Sequence, residues 1–123
     1  MITTTIAIVE NKMLYLEGIS SMLSDNDFSV ILTTSSLPLL QSALNIATNY
    51  PDICLFNLSL LTDEGTAAIA SIRRQSSQIK IMGYYIGETD KQRASVEDLD
   101  GLFSLKEQPD DIMVVIKSLV ASC

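Results

Sequence analysis

Pro51-Asp52-Ile53-Cys54-Leu55-Phe56-Asn57 reads as a strand with both ends marked. Proline disfavours helical backbone in the residue before it, so Pro51 stops a preceding helix before Tyr50. Four apolar residues then follow without interruption, the pattern of a strand covered on both faces rather than one with a wet side. Thr5-Ile6-Ala7-Ile8-Val9 has the same character. Two such runs predict the centre of a parallel sheet, and parallel strands need crossover connections, usually helical ones.

Outward from these two, three more apolar, β-branched or aromatic runs complete a series spaced by roughly 20–27 residues. They are Phe28–Leu32, Ile79–Tyr85 and Leu102–Leu105. Between them, helical spacing predicts a first helix over Lys12–Ser24, with Tyr15, Leu16, Ile19, Met22 and Leu23 on one arc. A second helix is expected over Pro38–Asn49, with Ser35 and Ser36 offering hydroxyls at its start. A third covers Glu64–Gln75 and a last one Pro109–Ala121. Glu88–Leu99 holds few apolar residues and predicts at most a short fourth helix. The expected architecture is one α/β domain over residues 1–123, doubly wound and flavodoxin-like, (βα)5 around a five-stranded parallel sheet.

Composition narrows the function classes. With 123 residues, 47% hydrophobic and 19% charged, the chain can bury one core and is not intrinsically disordered. Its formal charge of −7 repels phosphate backbones, which speaks against nucleic-acid binding by this domain itself. It has no histidine, which removes histidine phosphorelay, Ser-His-Asp catalysis and most zinc sites. Cys54 and Cys123 do not make a disulfide framework. No apolar run reaches the ~20 residues of a membrane span. No basic segment precedes the first apolar stretch, so a cytoplasmic location is expected. No glycine-rich nucleotide loop appears.

Several stretches together resemble the receiver domains of response regulators, closest to those preceding LuxR-type helix-turn-helix domains. They are Ile6 to Ile19 with its Glu17-Gly18 pair, Pro51 to Leu60, Gly65, Asp100-Gly101 and Pro109-Asp110-Asp111-Ile112. The resemblance spans about the whole chain. It implies a phosphorylation pocket in which an acid pair and an acceptor aspartate hold Mg²⁺. In this sequence the acid pair aligns with Glu10 and Asn11, and the acceptor with Asn57. The small hydroxyl residue aligns with Tyr85. The lysine aligns with Leu105, or with Lys106 if one residue is inserted.

These departures point away from phosphotransfer. An amide is a neutral, weak nucleophile and forms no acyl phosphate. A hard dication wants anionic oxygens, and two of three carboxylates are gone. The resemblance therefore implies a degenerate receiver, not an enzyme, with no catalytic residue, metal or cofactor. It would signal as a dimerisation or protein-interaction module attached to a LuxR-type DNA-binding domain beyond these residues.

Other readings stay open at this stage. Glu10 is expected to be a solvated carboxylate at a strand end rather than a metal ligand, and Lys12 either pairs with it or lies free on the surface. Asn57 is expected to bond loop backbone. Tyr84 and Tyr85 must point to opposite faces of their strand. One of them could line a ligand site at the carboxyl edge of the sheet with Glu10 and Asn57, though packing is the better expectation for both. Asp63, the displaced acid of a third reading, and Glu64 suit the first turn of a helix. On the last helix Val114 lies about 100° or more off the core-facing arc, and Met13 and Leu14 lie off the arc of the first helix. An apolar excess on both helices predicts a contact surface, most simply a homodimer.

Overall fold

The computed structural model describes residues 3–87 and 99–121. Five parallel strands, β1 (Thr5–Val9), β2 (Ser29–Thr34), β3 (Ile53–Asn57), β4 (Lys80–Tyr85) and β5 (Gly101–Ser104), form one sheet in the order β2-β1-β3-β4-β5. As the uninterrupted apolar runs required, β1 and β3 are interior strands, and every residue of β3 is buried. The doubly wound α/β expectation for a single small domain is met. The weak helix expected over Glu88–Leu99 lies outside the described residues except for Leu99.

The described helices are α1 (Met13–Asp25), α2 (Leu37–Asn45), α3 (Asp63–Gln75) and α4 (Pro109–Ala121). Strand alternation divides the core in two. Ile6, Ile8, Ile53, Leu55, Met82, Tyr84 and Phe103 face α1 and α4, against Ile19, Leu23, Ile112 and Ile116. Ala7, Val9, Cys54, Phe56 and Ile81 face α2 and α3, against Leu40, Leu44, Ala68, Ile69 and Ile72.

Side-chain hydroxyls set the starts of α2 and α3. The Ser36 hydroxyl accepts the Leu39 N–H at the start of α2, and the Thr62 hydroxyl accepts the Gly65 N–H at the start of α3. Asp63 and Glu64 occupy the first turn of α3, where the helix dipole favours acids. The second helix ends at Asn45, four residues before the expected Asn49. The chain leaves α2 through tight turns in which the Ile46 and Ala47 N–H groups donate to the Ala43 and Leu44 carbonyls. The Gln75 side-chain amide of α3 donates to the same Leu44 carbonyl (3.1 Å) and to the Tyr50 hydroxyl (2.9 Å). Ile46 is left exposed instead of continuing an apolar stripe.

One carboxylate closes the far side of the sheet. Asp100 donates its N–H to the Ile81 carbonyl at 2.7 Å, and its Oδ2 accepts the Ile81 N–H at 2.8 Å and Arg73 at 3.2 Å. Asp100→Ala leaves the Ile81 N–H without that acceptor and is expected to cost about 1–3 kcal/mol. Urea denaturation checks it, and an unchanged midpoint refutes the role.

Cys54 lies in the buried centre of β3, and desolvation pushes its thiol up to about 12. Iodoacetamide at pH 8 should therefore modify Cys54 only as fast as the chain opens. Peptide mass mapping with and without urea measures this, and rapid native labelling of Cys54 contradicts it.

Candidate functional site

The carboxyl ends of β1, β3 and β4 meet in one cross-strand row. Val9 is level with Phe56, which puts Glu10 beside Asn57, and Asn57 is paired in register with Tyr84. Tyr84 in turn is paired with Phe103. In-register parallel neighbours share a face, so Glu10, Asn57, Tyr84 and Phe103 all point toward the α1/α4 side.

Glu10 is the hub of this row. Its Oε1 accepts the Asn57 side-chain amide at 2.9 Å and the Tyr84 hydroxyl at 2.6 Å. Its Oε2 accepts the backbone N–H groups of Asn11 (2.9 Å) and Lys12 (3.2 Å) as the chain turns into α1. Four donors satisfy one carboxylate that is only 3% exposed. Burying a charge is costly unless it is fully hydrogen-bonded, and this arrangement supplies the bonds without a cation. The expectation of a solvated Glu10 is thus corrected: the end of β1 lies under Tyr84, and the tyrosine covers it.

Asn57, also 3% exposed, works in both directions. It donates to Glu10 and accepts the Ser59 N–H at 2.9 Å, which fixes the turn Leu58–Leu60 after β3. The Tyr84 ring stacks on Phe103 with centroids 5.7 Å apart, tying the row to β5. Burial first, and then the hydrogen bond to Glu10 and its charge, raise the Tyr84 ionisation well above the usual tyrosine range. The phenol is held protonated as a donor.

The remaining expected site residues are dispersed. Asn11 is exposed and offers only its N–H. Tyr85 points to the opposite face and packs against the α2/α3 core, so Tyr84, not Tyr85, lies beside Asn57 and reaches Glu10. Leu105 is half-buried against the α1/α4 core, and Lys106 is exposed. The Lys12 ammonium lies 5.7 Å from the Tyr15 ring centroid instead of pairing with Glu10. Asp63 is exposed in the first turn of α3. Met13 (66%), Leu14 (78%) and Val114 (67%) are exposed. Among the described residues no three Cys, Asp or Glu side chains cluster as a metal-binding group.

Two concavities lie elsewhere. One of about 660 Å³ opens at the amino-terminal edge of the sheet beside Thr4, Asp52, Ser77 and Lys80. A smaller one of about 200 Å³ runs between α1 and α4, past Leu14, Met22, Leu105 and Ile112.

No protein-family model matches the chain, and no curated protein matches its sequence. Solved structures match its fold throughout. A two-component response regulator of the LuxR family from Aurantimonas sp. SI85-9A1 superposes with TM-score 0.78 at 16% identity, over 98% of this chain and 87% of that one. A CheY-like response-regulator receiver domain from Methanospirillum hungatei JF-1 gives 0.75 at 15%, over 98% and 96%. The RcsB response regulator of Salmonella typhimurium gives 0.78 at 17%, over 99% of this chain but 61% of that one. The strand order, the two-layered core and these likenesses agree: the chain has the fold of a response-regulator receiver domain.

Proposed function

We propose that the chain is a phosphorylation-independent receiver that regulates by association. The observation carrying this reading is the closed hydrogen-bonded set Glu10–Asn57–Tyr84 at the place where the fold would take up phosphate. Asn57 supplies an amide where an acyl phosphate needs a carboxylate. Both oxygens of Glu10 are committed to donors, and both polar atoms of the Asn57 amide are engaged. A hard dication would meet a single carboxylate and a neutral phenol, a donor set that does not fit Mg²⁺. The buried tyrosine fills the space and holds one pocket state.

Exposed Met13, Leu14 and Val114 support pairing through α1 and α4. The likeness to a LuxR-family regulator supports output through a LuxR-type DNA-binding domain. No described helix is long and apolar enough to cross a membrane.

Mg²⁺ with beryllofluoride, a phosphoryl mimic, tests the pocket. Thermal melting and light scattering should show no Mg²⁺-dependent shift and an unchanged mass. Incubation with acetyl phosphate should leave the intact mass unaltered. Stabilisation by several degrees, or a phosphorylated species, would overturn the reading.

A further inference from the structure

The outward stripe of α4 carries opposite charge on the two sides of its most exposed apolar residue, Val114. At about 3.6 residues per turn, Asp110 and Asp111 lie one turn before Val114, and Lys117 and Ser118 one turn after it. All five are exposed, whereas Ile112, Met113, Ile116 and Leu119 on the other side of the helix are buried. Among the described residues neither aspartate nor Lys117 makes an ion pair within the chain.

A two-fold axis crossing α4 at Val114, with the copies antiparallel, sets Val114 on its counterpart. The same axis brings Lys117 of each copy to the Asp110–Asp111 turn of the other. A parallel pairing would instead place aspartate against aspartate and lysine against lysine, which repel. Local complementarity matters here because two copies carrying −7 each repel at long range. We propose that a second copy of this chain covers the face in this antiparallel register, α4 against α4. The inference rests on the association reading above and specifies its geometry and charge code.

The charge code is tested with two altered chains. Lys117→Glu sets acid against acid at both junctions, and the pair Asp110→Lys with Asp111→Lys sets base against base. Each alone should weaken dimerisation by on the order of tenfold or more. Mixed in equal amounts, the two chains regain opposite charges at both junctions and should form heterodimers. Sedimentation velocity reads this, and raised salt should weaken the mixed dimer.

Lysines at a helix start oppose its dipole, so circular dichroism accompanies each chain. Asp110→Asn with Asp111→Asn, milder at that position, should also weaken the dimer. If each reversed chain dimerises like the unaltered one, or the mixture stays monomeric, the register falls while association stands. An unaltered chain that is monomeric at all concentrations overturns both.

Discussion

Tyr84→Ala is expected to cost about 3–5 kcal/mol, enough to leave a domain of ordinary stability largely unfolded on mild heating. The ring is fully buried in the α1/α4 core and stacks on Phe103, so truncation opens a cavity next to a buried carboxylate. Tyr84→Phe separates the two contributions. It keeps the ring and removes only the hydroxyl that donates to Glu10 at 2.6 Å, at an expected cost of about 1–3 kcal/mol. Denaturant titration of the two variants against the parent measures both. If Tyr84→Phe is neutral, Glu10 does not depend on the phenol and the closed-pocket account fails.

The same pair of groups predicts behaviour at high pH. Folding raises the Tyr84 ionisation, by burial first and then by Glu10. The folded state therefore retains this proton where an unfolded tyrosine, with pKa about 10, begins to lose it. The contribution is complete below that value and is lost progressively as pH rises above it. Tyr84→Phe should flatten the alkaline limb of the stability profile, although it lowers stability at neutral pH. An unchanged limb would mean that Tyr84 titrates freely.

Asn57→Asp is the second large effect, and it runs against intuition for this fold. A carboxylate at this position replaces the amide that donates to Glu10 at 2.9 Å and sets two buried negative charges side by side. A buried charge left without compensation costs about 3–5 kcal/mol, so the variant should be strongly destabilised at pH 7. One of the two carboxylates would then take up a proton in the folded state at a pH where it is ionised in the unfolded chain. Stability should accordingly recover in part as pH falls toward 5. Urea midpoints at pH 7 and pH 5 check the sign. Rescue by millimolar Mg²⁺ would show that the row can reopen around a cation and would sink the phosphate-independent reading.

Much of the site was legible before the fold was seen. The proline and four apolar residues before Asn57 place it at the carboxyl end of an interior strand. Ile6–Val9 does the same for Glu10. Once both strands are parallel and central, their ends must meet. The outward direction of Val114 also follows from helical spacing, because α4 is a regular helix with a single buried side.

Other features were not legible, and the failures share a cause. Whether Tyr84 or Tyr85 faces Glu10 depends on the pairing of β4 with β3, since a one-residue slip exchanges the faces of every side chain. Both tyrosines are equally compatible with a strand, and only packing of the whole sheet selects the register in which Asn57 lies level with Tyr84. The burial of Glu10 depends on a residue 74 positions away. The last turn of α2 finds a further hydrogen-bond donor in Gln75, which belongs to another helix.

The amino-acid sequence alone determined the order and type of the described strands and helices, the two interior strands and the presence of an amide rather than a carboxylate at position 57. Each of these rests on short-range periodicity or on the chemistry of one side chain. The tertiary structure decided which tyrosine bonds Glu10 and how Glu10 is compensated. Those outcomes turn on strand register and desolvation, which arise only when distant segments pack and water is excluded between them.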